Sequence, residues 1–188
     1  MAAMTSGLFP AVRGRAATDV LAAGIACAAW IVAISRASDI LHAIAIGAAG
    51  TLLAVIAQHD FRTLKAPNAL VLPGLLLQLG VAAAFGLTAL AQASTGAVLA
   101  FGLMLVIALL GRGAMGLGDV KFAALAGAIV GLRLVLPMLA LAFAIGGLVA
   151  AVCLGLRLRR RKDVLPFTPL LAIGAISAIA IYSGYLAG

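Results

Sequence analysis

Residues 134–156 read LVLPMLALAFAIGGLVAAVCLGL and residues 157–162 read RLRRRK, a long stretch without one charged side chain closed abruptly by a cationic cluster. A helix that crosses the hydrocarbon core of a bilayer needs roughly 20 mainly apolar residues. Lysine and arginine collect on the cytoplasmic side of such helices. The stretch therefore reads as a membrane span ending at a cytoplasmic boundary. The rest of the chain agrees, because 65% hydrophobic and 10% charged residues over 188 positions, with a mean hydropathy of +1.27, leave too little polar surface to cover a soluble globule. The expectation is one membrane domain over 1–188, all-α, a polytopic transmembrane helix bundle whose chemistry comes from residues at or near the membrane.

Outward from that stretch, apolar runs bounded by charges and turn residues give seven spans: 19–35, 40–58, 69–90, 96–111, 119–132, 134–156 and 165–187. Only Gly131, Arg133 and Pro137 mark a turn between the fifth and sixth, and one long tilted helix is the alternative there. Charge decides for seven. With the N-terminus inside, every lysine and arginine except Arg36 and Arg133 falls on the cytoplasmic side, whereas removing one helix between 119 and 156 would throw the 157–162 cluster across the membrane. The C-terminus then lies outside. Arg13 and Arg15 ahead of the apolar run from Val20 to Ile34 resemble a signal peptide and are read as an uncleaved signal anchor. This makes 1–40 an N-terminal extra helix before a six-helix core at 41–187.

The net charge of +8 reports orientation rather than nucleic-acid binding, since aromatics are 5% of the chain and no basic stripe is interleaved with them. Cys27 and Cys153 lie inside apolar runs and read as buried small hydrophobes. No CxxC pair occurs, which excludes a zinc module built on such pairs. Glycines such as Gly47, Gly50, Gly146 and Gly147 read as positions where helices approach closely.

The five acidic residues divide by position. Asp19 and Asp39 fall at expected helix starts, where a carboxylate caps free N–H groups. Asp163 closes the basic loop as a local charge partner. Asp60 and Asp119 differ, because each sits at the cytoplasmic membrane boundary beside a segment with unusual backbone demands. Asp60 belongs to HDFRTLKAPN (59–68), in which Pro67 stops a helix and Asn68 can cap the next. Asp119 closes GRGAMGLGD (111–119), whose glycines permit positive φ and close backbone approach, and it is expected at a helix N-terminus. Acidic residues at membrane depth are costly to desolvate and so are functional candidates. On these grounds alone the pair could activate water, bind a cation or relay protons in transport.

Three segments then carry a resemblance: DFRTLKAPN (60–68), with Pro-Asn seven and eight residues after the aspartate; GLGDVK (116–121), a GxGD signature followed by lysine; and, more weakly, LPFTPLLAIGA (165–175). The chain resembles the prepilin leader peptidases, bacterial inner-membrane aspartic peptidases of the GxGD type. The similarity runs from about 41 to 187. It departs from the family where Ala66 replaces the common isoleucine and Thr168 the common glycine. The resemblance implies that Asp60 and Asp119 are catalytic, with Pro67, Asn68, Gly116, Gly118 and Lys121 shaping the motifs or positioning substrate, and it calls for no cofactor and no metal. Two neighbouring carboxylates cannot both ionise cheaply, so they share a proton and titrate as a unit. One can take a proton from water while the other polarises the scissile carbonyl, and the order of roles stays open. The implied partner is a prepilin or pseudopilin whose short basic leader remains cytoplasmic, with the lipid bilayer around the enzyme. Full-length relatives add a CxxC-bearing cytoplasmic domain and methylate the new N-terminus. This chain is instead similar to the short peptidases of tight-adherence pilus systems. His59, adjacent to Asp60, and His42 read as interfacial or core residues, and Arg62, Lys65 and Lys121 as topology determinants. A proton- or cation-coupled transport component using the same aspartates is the alternative reading.

Overall fold

In a bilayer no water is present to satisfy the backbone, so apolar stretches of this kind close their own hydrogen bonds as helices. The computed structural model of the protein describes residues 15–63, 68–111, 116–156 and 167–182. In chain order these form α1 (Arg15–Arg36), α2 (Ile40–Thr63), α3 (Asn68–Ala84), α4 (Leu87–Leu110), α5 (Leu117–Val130), a 3-10 turn (Leu132–Leu134), α6 (Val135–Gly155) and α7 (Thr168–Tyr182). The described residues contain no strand. Four segments, Thr18–Arg36, Ile40–Asp60, Leu87–Leu110 and Leu132–Val152, are long and apolar enough to cross a membrane, and α3 and α7 are shorter apolar helices. Each of the seven runs read from the sequence corresponds to one helix. Arg13, Lys65, Pro67, Arg112, the 157–162 cluster and Asp163 lie outside the described residues.

One boundary differs from the expectation. The break after the third run falls at Phe85–Gly86 and not near 91–95, because Gly86 takes φ +111° and stops α3 there. The polar residues that suggested the later break are inside α4, where Ser94 donates to the Leu90 carbonyl at 2.8 Å and Thr95 to the Ala91 carbonyl. Back-bonding to the preceding turn satisfies both hydroxyls within the helix. The weakly marked turn between α5 and α6 is present: Gly131 adopts φ +74° and the 3-10 turn follows it.

The centre of the bundle is α5, in which Val120, every residue from Phe122 to Ala128, and Val130 are buried. Its small side chains let α3, α4 and α7 close around it, as van der Waals packing between membrane helices requires. The α4–α5 crossing brings backbone against backbone. A Cβ on Gly127 would stand 2.5 Å from the Gly96 carbonyl oxygen and 2.6 Å from the Ala100 Cβ.

Helix α1 packs extensively on α2 and also reaches α7. The Trp30 indole lies over Gly47, and its N–H donates to Thr51 Oγ1 at 3.2 Å. Two expectations about α1 are corrected. Asp19 is within the helix rather than at its start, and it accepts from the Gln58 amide of α2 instead of capping. Cys27 is exposed on the outer face, because α1 lies at the edge of the bundle and covers only one side of itself.

Asp39 does cap α2. Its Oδ1 accepts the His42 N–H at 2.9 Å and its Oδ2 meets His42 Nδ1 at 2.8 Å, while the imidazole rests on Phe85 with ring centroids 4.4 Å apart. The His42 N–H, and then its side chain, hold the Asp39 carboxyl below the ordinary carboxylate value. A lowered folded-state value gives stability above the ordinary carboxylate range that disappears as pH falls through the lowered value. Asp39→Ala is therefore expected to reduce thermal stability in detergent at neutral pH, by a small amount for so exposed a group, and to match the parent once the parent's own carboxyl is protonated.

Candidate active site

Asp60 and Asp119 reach one end of the bundle from different directions. Asp60 lies in the last turn of α2, and its side chain is buried with only 4% of the residue exposed. Asp119 lies in the first turn of α5, where its N–H donates to the Gly116 carbonyl at 3.1 Å and the Gly116 N–H faces its carboxylate. The carboxylate at the third helical position thus meets the cap residue's N–H, one half of a capping box, and Gly116 has no side chain to supply the other half. The positive end of the helix dipole also favours an anion there. The free N–H groups of a helix start need an acceptor, and the acid at this position supplies one.

Between them stands α7, which packs against both α2 and α5 where those two barely touch each other. Its first residue, Thr168, is fully buried and donates from Oγ1 to Asp119 Oδ1 at 2.8 Å. The Asp60 carboxyl lies within interaction range of the same hydroxyl and of Asp119. Two carboxyl groups thus come together at one buried hydroxyl, which is hydrogen-bonded to Asp119. Sequence reasoning noted Thr168 only as a departure from a family pattern. The available signal was a threonine between Pro166 and Pro169 at an expected helix start, where a hydroxyl has free groups to meet.

The other sequence-derived positions are distributed around this centre. His59 is exposed beside Asp60, in keeping with an interfacial role. Asn68 opens α3, and Pro67 is outside the described residues. Lys121 is half-buried on α5, and two residues along a helix carry it about 200° around the axis from Asp119. Gly118 lies in the first turn of α5. The positive φ that glycine permits is not used at Gly116, which has φ −76° and ψ 144°, nor at Gly111, which has φ −73°. A Cβ on Gly116 would meet nothing closer than 3.9 Å. Among the described residues positive φ occurs at Gly86 and Gly131, where chain reversals demand it.

The Type IV leader peptidase family matches residues 47–151, a stretch that includes both aspartates. The chain belongs to this family. A relative in Escherichia coli (strain K12), prepilin leader peptidase/N-methyltransferase, is 37% identical over 133 residues, which are 68% of this chain and 57% of that protein. The chain thus spans little more than half the length of that relative. No solved structure matches the chain. The family match begins within α2 and ends within α6, so α1 and α7, including Thr168, lie beyond it.

Proposed function

We propose that the protein is a membrane-embedded aspartic endopeptidase that removes the short basic leader of prepilins at the cytoplasmic face of the inner membrane, with Asp60 and Asp119 as its catalytic pair. The observation that carries this reading is the meeting of the two carboxylates, from the end of α2 and the start of α5, around one buried hydroxyl. Membership of the leader peptidase family supplies the reaction class. The bias of basic residues toward one side supports the orientation.

The chemistry follows from the pair. An ionised aspartate removes a proton from water as the oxygen attacks the scissile carbonyl, and the protonated aspartate donates to the carbonyl oxygen as charge develops. Collapse of the tetrahedral adduct breaks the C–N bond, and the leaving amine receives the proton taken from water. A leader that ends at the membrane surface, followed by an apolar helix, would bring its scissile bond to this depth. Pro67, Asn68, Gly116, Gly118 and Lys121 then shape the segments flanking the aspartates.

Co-expression of the protein with candidate prepilins tests the proposal, with the N-terminus and mass of the membrane-bound product read directly. Loss of the basic leader only in cells that carry the protein is expected. Unprocessed precursors for every pilin offered would contradict it.

A further inference from the structure

A threonine hydroxyl has one proton to donate and lone pairs to accept with. At Thr168 that proton goes to Asp119 Oδ1. The hydroxyl has one proton, so while it is given to Asp119 it is not available to the neighbouring Asp60 carboxyl. The helix ends act in the same sense. Asp119 stands at the positive end of α5 with the Gly116 N–H turned toward it, and Asp60 stands at the negative end of α2, almost wholly buried.

We infer that Thr168 is a positioning residue that assigns the shared proton of the pair: its hydroxyl holds Asp119 as the ionised base and leaves Asp60 as the acid. The inference rests on the peptidase reading above and deepens it, since the sequence left the two roles unassigned. In a reaction cycle Asp119 then takes the proton from water, while Asp60 donates toward the substrate carbonyl. Among the described residues, the charged or titratable groups on the helices around the pair include His59 and Arg62 on α2, Arg15 and Asp19 on α1, the latter held by Gln58, and Lys121 on α5. The part of α7 that faces the pair contributes only Thr168. Changing Thr168 leaves all of these in place.

The test compares prepilin cleavage by the wild type, Thr168→Val and Thr168→Ser across pH, in membranes matched for protein level, with Asp60→Asn and Asp119→Asn alongside. Valine keeps the shape and removes the hydroxyl; serine keeps the hydroxyl. The acidic limb of the Thr168→Val profile is expected to move up by about one pH unit, so that cleavage on that limb falls about tenfold, because the ionised base has lost a charge-assisted donor. Thr168→Ser is expected to retain the wild-type limb. An unshifted limb in Thr168→Val, a serine variant as impaired as valine, or complete loss at every pH would overturn the assignment. If the valine variant does not accumulate, Thr168→Ala is read by the same criteria. Normal cleavage by either asparagine variant would instead remove the peptidase reading itself, a result separate from any behaviour at Thr168.

Discussion

Asp119→Asn and Asp60→Asn are each expected to reduce prepilin cleavage by roughly 100- to 10,000-fold, the range that positioned acid–base groups contribute. Asparagine occupies nearly the same space, so the bundle should accumulate normally in both cases. What changes is the proton inventory. At 119 the amide cannot take a proton from water, and it no longer offers a charged acceptor to Thr168 or to the Gly116 N–H. At 60 the amide can still donate a hydrogen bond, but it cannot transfer a proton to a developing oxyanion. Quantifying precursor and product in membranes matched for protein level measures both losses. Retained cleavage in either variant would mean that the reaction does not use a carboxylate pair.

The second large effect is on stability. Gly127→Ala is expected to destabilise the bundle by about 1–3 kcal/mol or more, the cost of overpacking a filled interior. The new methyl would meet the Gly96 carbonyl oxygen at 2.5 Å, and backbone cannot move aside as a flexible side chain can. To relieve the contact, α5 must shift from α4, and Asp119 rides on the same helix. Cleavage should therefore fall together with the unfolding temperature in detergent. Gly80→Ala is the matched control: nothing lies within 4 Å of a Cβ there, and alanine favours a helix interior over glycine by roughly 0.5–1 kcal/mol. That variant should be as stable as the parent or more so. Equal behaviour of the two substitutions would show that the α4–α5 contact is not as close as described.

These expectations also mark where the sequence was informative. Runs such as 134–156 are legible because an uncharged stretch of that length has one inexpensive environment, and the helices follow from the backbone's need to satisfy itself there. Asp60 and Asp119 were legible for the complementary reason, being carboxylates at the ends of such runs. What was hidden depends on contacts between distant residues. Gln92, Ser94 and Thr95 looked like a turn because their polarity is visible in the sequence, while the bonds from Ser94 and Thr95 to the preceding turn are not. Asp19 looked like a cap because its partner, Gln58, is 39 residues away. Glycine-rich 111–119 suggested positive φ, yet Gly116 has ordinary extended backbone and the aspartate three residues on completes its cap. Thr168 drew little attention because a threonine near prolines is unremarkable until α7 places it beside two carboxylates.

The central claim is that Asp60 and Asp119 act as one catalytic unit, and the double variant Asp60→Asn/Asp119→Asn tests it most directly against the two single variants. With enzyme in excess over a single prepilin and incubation long enough to measure the residual cleavage of each single variant, a coupled pair predicts that the double variant is no slower than the slower single one. Losses that multiply, taking the double variant far below both, would mean that the two aspartates contribute independently and that the pair described here is not a unit.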